Sequence, residues 1–228
     1  MTVTAKFGGS SLADAEQFKK VLSILQSDPA RRYVVVSAPG KRRADEEKIT
    51  DLLYRTHRLF QEGGDWQAPF SRIEERFLSI EHQLCLPLQM EAALKHIQTR
   101  LCQGVSAAYM ASRGEYLTAR LLAAATGFPF VDAGELIRFH EDGSLNDSAT
   151  QKASSALKAY PCAVIPGFYG TYPDGEICTF SRGGSDITGS LVARTVQAEV
   201  YENWTDVPGI LMADPSIVKD PQPIPRIT

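Results

Sequence analysis

The sequence predicts an α/β protein: a mostly parallel central sheet with helices on both sides, arranged as a three-layer α/β/α sandwich. Three observations carry that prediction. Continuous apolar runs such as Tyr33–Pro39 read as strands buried on both faces. These runs alternate along the chain with stretches of helical periodicity. Twice, a strand-like segment passes straight into glycines that open a helix, the junction where open parallel sheets bind ligands.

In chain order, Val3 to Phe7 forms a short strand ending at Gly8-Gly9. Phe18, Val21, Leu22 and Leu25 then recur at helical spacing, with Asp14 and Gln17 placed as a capping pair. The second strand is Tyr33–Pro39, followed by the charged stretch 41–48, read as a solvated flap, and a helix from about Ile49 to Phe60. Residues 66–103 form a helical insertion, with Ile73, Phe77, Ile80 and Leu84 on one face, then Leu94, Ile97 and Leu101. A helix is entered at Ser112–Glu115 and stops at Gly127 as its C′ residue. Residues 128–133 are strand-like, 147–160 helical and 162–168 a buried strand. A helix then runs from Ile187 to Val196 and a strand from Glu199 to Val207. The proline-laced stretch 214–228 cannot be regular helix and reads as a linker or a cut edge.

The chain has 228 residues, 43% hydrophobic and 22% charged, the profile of a globular protein with a sizeable core. A net charge of −3 gives no overall field for nucleic acid or anionic membrane, so neither partner is expected. No basic segment leads into an apolar one at the start, and runs such as "LLAAATGFPFV" are too short and too broken to span a bilayer. A cytoplasmic location follows as the expectation. Cys85, Cys102, Cys162 and Cys178 show no paired spacing and are expected to be buried free thiols. The four histidines show no ligand spacing, so no metal site built from protein side chains is expected.

The first glycine junction is Lys6-Phe7-Gly8-Gly9-Ser10-Ser11. Glycine lets backbone N–H groups approach an anion, and the lysine can reach across the same edge. A tight turn beside a surface lysine would look the same. The second junction, Ser181-Arg182-Gly183-Gly184-Ser185-Asp186, adds a guanidinium able to hold a carboxylate or phosphate in fixed orientation. Asp186 either caps the following helix or orients a nearby lysine or amine. Glu115 either complements a helix dipole or receives a substrate ammonium group. No G-x-x-x-x-G-K-[ST], G-x-G-x-x-G or G-x-S-x-G motif occurs, which leaves P-loop, dinucleotide and serine-hydrolase arrangements without an anchor.

Taken together, "KFGGSS", "VVVSAPG…ITDLL", "SRGEYLTARLLA", "FSRGGSDITGSLVA" and "NWTDVPGILMADP" are similar, in this order, to segments of aspartate kinases, members of the amino-acid kinase family. The resemblance runs from residue 3 to about 221. It implies the amino-acid kinase fold and transfer of the ATP γ-phosphoryl group, with Mg²⁺, to the side-chain carboxylate of L-aspartate, the first step toward lysine, threonine and methionine. In that reading Lys6, Phe7, Gly8, Gly9 and Ser10 hold the phosphates, with Thr205, Asp206 and Leu211 at the nucleotide. Asp186 orients Lys6, while Thr50, Glu115, Arg182 and Ser185 position aspartate. Leu211 and Ser216 depart from the pattern, standing where many aspartate kinases carry tyrosine and arginine. By this resemblance the whole chain, 1–228, is one catalytic domain ending short of the family's usual length, without ACT regulatory domains, and compatible with a homo-oligomer. The alternatives are an amino-acid kinase with another acceptor, a non-catalytic binding or assembly module, or an inactive fragment.

Overall fold

A computed structural model describes residues 1–181, 183–206, 209, 212 and 217–222. Four strands form one parallel sheet: β1 (Val3–Phe7), β2 (Arg31–Val36), β3 (Ala163–Pro166) and β6 (Val200–Trp204), in the order β3-β2-β1-β6. Two further short strands, β4 (Tyr169–Thr171) and β5 (Ile177–Thr179), make an antiparallel hairpin beside it.

Both faces of the sheet are buried. On β2, Val34 and Val36 point into one apolar cluster and Tyr33 and Val35 into the other, as the period of two requires. The first cluster lies under α1 (Ala15–Ser27), α2 (Ile49–Gln61), α3 (Gln67–Gln83), α4 (Met90–Cys102) and α5 (Ala107–Thr126). The second lies under α6 (Ala133–Leu136), the hairpin and α8 (Gly184–Thr195), with α7 (Asp147–Ser154) alongside α6 and α8. The expected three-layer α/β/α arrangement is therefore present. The Asp14 side chain accepts from the Gln17 N–H and caps α1, and Gly127 ends α5 with a left-handed φ of 73°.

Several expected bounds shift. The helical insertion is two helices, interrupted around Pro87, which cannot continue a helix. Of residues 128–133, Phe130 makes only a bridge to Val164 and Ala133 already begins α6, while 147–160 splits into α7 and a 3₁₀ stretch over Ser155–Ala159. The hairpin was not read from the sequence, although Pro173-Asp174-Gly175 at its turn is a strong turn signal. All four cysteines are free, but only Cys178 is buried as expected; Cys85 and Cys102 are exposed and Cys162 is partly exposed. No helix of the described residues is long and apolar enough to cross a membrane.

Candidate active site

Because the four strands of the main sheet run parallel, the loops that follow them gather on one edge. Hydrogen bonds stitch these loops together: the Gly8 N–H donates to Trp204 O (3.0 Å), Ser37 N–H to Phe7 O (3.1 Å), and Gly167 N–H to Val36 O (2.8 Å). The residues of the first glycine junction thus sit between the ends of β2 and β6.

Alternation along β1 sends Phe7 into the core, fully buried and stacked on Trp204, while Lys6 emerges on the opposite face toward α8. The Phe7 ring is therefore spent on packing, and only its backbone belongs to the site edge. Lys6 is nearly buried, and its Nζ lies 2.7 Å from Asp186 Oδ1, in the first turn of α8. The same oxygen accepts from Asn203 Nδ2 at 3.0 Å, and Asn203 stands opposite Lys6 in the β1–β6 register. Asp186 is half exposed, so the pair opens to solvent on one side only. Gly183, with a φ of 59°, supplies the left-handed turn that starts α8, and its carbonyl, not a side chain, accepts the Asp186 N–H. The Tyr201 hydroxyl beneath contacts Asp186 O at 3.4 Å; burial, then the nearby Asp186 charge, raises its pKa.

The glycine turn is held by backbone contact. Gly40 N–H donates to Gly9 O at 2.7 Å, and a Cβ on Gly9 would lie 2.8 Å from Ala38 O. The other side of Ala38 meets α5, where a Cβ on Gly114 would lie 2.7 Å from Ala38 Cβ. Ile49 and Leu53 of α2 pack on the same glycine, which sets the first turn of α2 and the half-buried Thr50 at this edge.

Glu115 follows Gly114 in the middle of α5, not at a helix entrance as its sequence neighbours suggested. The helix begins eight residues earlier, capped by Ser106, whose side chain accepts from the Tyr109 N–H. A dipole role for Glu115 is thereby removed, since that effect is confined to the first turn. Glu115 is 5% exposed, and its Oε2 has no hydrogen-bond partner among the described residues. Burial pushes its pKa up to about 8, against backbone N–H groups of Ala38 and of Glu115 itself and the Arg113 charge, which pull down. A buried carboxyl with one idle oxygen is a receptor for a donor, and an ammonium group would restore its charge.

Ser185 is buried in the first turn of α8, beside Asp186. Thr205 and Asp206 follow β6 and are exposed, joined to each other by a 3.1 Å hydrogen bond. Arg182, Leu211 and Ser216 lie outside the described residues. Lys6, Gly8, Gly9, Ser10, Ser185, Asp186, Thr205 and Asp206 therefore share one edge, with Glu115 and Thr50 joined to it through Ala38 and Gly114. Sequence reading missed Asn203 and Gly40. Asn203 becomes visible only through strand register; Gly40 ended a readable "SAPG", but nothing there names Gly9 as its contact.

The charged segment 41–48 is not simply a solvated flap. Arg76 of α3, 4% exposed, pairs with Glu46 and donates to Gly40 O (2.9 Å) and Ala13 O (3.0 Å). Burial alone would raise the Glu46 pKa, but hydrogen bonds from Arg42 and Arg76 outweigh it and hold it at about 2. Glu47 is shared by Arg55 and Arg72, each at 3.1 Å. The loop is thus pinned to the helical insertion beside the glycine turn.

Comparison with known proteins agrees with this geometry. The profile of the amino acid kinase family matches residues 1–228. The chain is 36% identical to aspartokinase 3 of Bacillus subtilis (strain 168) over 240 residues, covering 98% of this chain and 52% of that protein. A structure of Clostridium acetobutylicum aspartate kinase superposes with a TM-score of 0.91 at 44% identity, covering 96% of this chain and 51% of that one. Escherichia coli aspartokinase III in complex with aspartate and ADP superposes with a TM-score of 0.82 at 26% identity, covering 98% and 53%. The chain spans about half the length of these relatives. By its sequence profile and its fold, the chain belongs to the amino acid kinase family.

Proposed function

We propose that these residues form the phosphoryl-transfer site of an aspartate kinase, which moves the ATP γ-phosphoryl group to the side-chain carboxylate of L-aspartate and yields 4-phospho-L-aspartate and ADP. The observation that carries this reading is the pairing of two unlike receptors at one sheet edge. Lys6, held by Asp186 beside a glycine turn, suits a phosphate; Glu115, buried with an idle oxygen, suits an ammonium group. An amino acid accepting a phosphoryl group needs both.

In the reaction an oxygen of the substrate carboxylate attacks the γ-phosphorus. The bond from that phosphorus to the β,γ-bridging oxygen breaks, and ADP leaves with the electron pair. No proton moves in this step, so the site needs no general base. Its contribution is positioning and charge neutralisation. Lys6 and the N–H groups of the glycine turn would oppose the negative charge of the γ-phosphoryl oxygens, and Asp186 with Asn203 would keep the ammonium on target. Glu115 would take the substrate α-ammonium, with Thr50 and Ser185 nearby. The role of Arg182 on a substrate carboxylate, and of Leu211 at the nucleotide with Thr205 and Asp206, rests on resemblance. Mg²⁺ would enter with ATP and be held chiefly by its phosphate oxygens.

Trapping the acyl phosphate with hydroxylamine tests the assignment. The full-length protein with ATP and L-aspartate is expected to give aspartyl hydroxamate. Lys6→Ala should lower kcat by about a hundredfold or more, as loss of one transition-state donor does, while leaving aspartate affinity nearly intact. Absence of hydroxamate, or an equal loss of aspartate binding in Lys6→Ala, would overturn it.

A further inference from the structure

A cavity of about 430 Å³ lies between α4 and α5 and shares no residue with the site around Lys6. It is within the size range of small-molecule sites. Three arginines line it: Arg100 from α4, and Arg113 and Arg120 from α5. Arg113 is 6% exposed, as deeply buried as Arg76, yet the two are treated differently. Arg76 has the Glu46 carboxylate and two backbone carbonyls. Among the described residues Arg113 donates only to the hydroxyl of its neighbour Ser112, from Nε at 3.1 Å and Nη2 at 2.8 Å.

No carboxylate among the described residues pairs with any of the three arginines. Aromatic faces stand in for one: the Arg113 guanidinium lies 4.4 Å from the Tyr109 ring centroid and 4.5 Å from that of Tyr116. Arg100 and Arg120 cover the same two rings, at 5.4 Å and 5.8 Å. Asp132 is the one carboxylate among the described residues that line the cavity, and its Oδ1 is occupied by the Tyr169 hydroxyl (2.7 Å) and the Gly134 N–H (2.9 Å). Quadrupole attraction offsets part of the cost of burying a cation but leaves its N–H donors without an anionic acceptor. A concave, arginine-lined space with a net positive lining is complementary to a ligand carrying more than one negative charge.

We propose that this cavity is a binding site for a small polyanion, phosphorylated or multiply carboxylated, seated on Arg100, Arg113 and Arg120. The inference does not rest on the kinase assignment.

Calorimetric titration of the full-length protein with citrate and with pyrophosphate, at fixed ionic strength, tests it. Lys6→Ala protein is the background, so that the glycine-turn site is weakened. At least one probe is expected to bind with 1:1 stoichiometry. Adding Arg100→Gln or Arg120→Gln, both outside the packed core, should weaken binding by about tenfold each. Citrate alone binding identifies a carboxylate ligand, pyrophosphate alone a phosphoryl one, and either supports the site. Failure of both probes to bind Lys6→Ala protein at 1:1, or binding that Arg100→Gln and Arg120→Gln leave unchanged, would overturn it.

Discussion

At neutral pH a carboxyl that titrates near 8 is mostly protonated, and this makes Glu115 sensitive to both pH and ligand. Unfolded, the group titrates near 4.5, so between about 4.5 and 8 the folded chain holds the extra proton. Stability therefore falls as pH rises through that window, by at most about 1.4 kcal/mol per pH unit from this group, and levels off above it. Urea unfolding at several pH values should show that slope in the wild type and lose it in Glu115→Gln. An ammonium ligand needs the carboxylate, so aspartate binding at pH 7 should release a proton and tighten as pH rises toward 8. Calorimetry in buffers of different ionisation enthalpy reads that proton directly; Glu115→Gln should abolish the release and raise the KM for aspartate about thirtyfold or more, with a smaller effect on kcat.

Helix α5 shows how far an element can be read from its own residues. Its end was legible, because Gly127 has the only cheap left-handed C′ geometry, and so was its amphipathic body. Its beginning was not: Ser106 caps it as well as any serine, but "SRGE" reads equally well as a first turn. Gly114 looks like a helix flaw until Ala38 is seen beside it. Replacing it with alanine should gain about 1 kcal/mol of helix propensity and lose more to the 2.7 Å approach to Ala38 Cβ. Gly114→Ala is thus expected to lower Tm by several degrees and raise the KM for aspartate, because Glu115 must move with its helix. An unchanged Tm would show that α5 and the 38–40 loop are not in rigid contact. β2 and β3 were legible from apolar runs of adequate length, while the strand expected over 128–133 proved to be only a bridge. The hairpin was missed because three-residue strands carry too little pattern, and Asn203, which joins the expected Lys6–Asp186 pair, because register is a property of pairs of strands.

Across the whole molecule, the helical insertion and the sheet edge are joined by the buried ion pair of Glu46 with Arg76, which also grips the carbonyls of Ala13 and Gly40, beside the more exposed pair of Glu47 with Arg72. Glu46→Gln leaves Arg76 buried without its charge partner and should cost about 3 kcal/mol. Because folding depresses the Glu46 pKa from 4.5 to about 2, its contribution is complete above pH 4.5 and fades as pH falls toward 2. Acid unfolding of Glu46→Gln should lack that portion of the wild-type slope, and the double variant Glu46→Gln, Arg76→Met should recover part of the lost stability. The backbone contacts among Gly9, Ala38, Gly40 and Gly114 have a further consequence. In a saturating substitution experiment that scores abundance and turnover separately, the two maps should come apart. Lys6 and Asp186 would tolerate replacement in the abundance map and fail in turnover. The glycines, which bring no reactive side chain, would fail in both, so the least reactive side chains of the edge would be its most constrained.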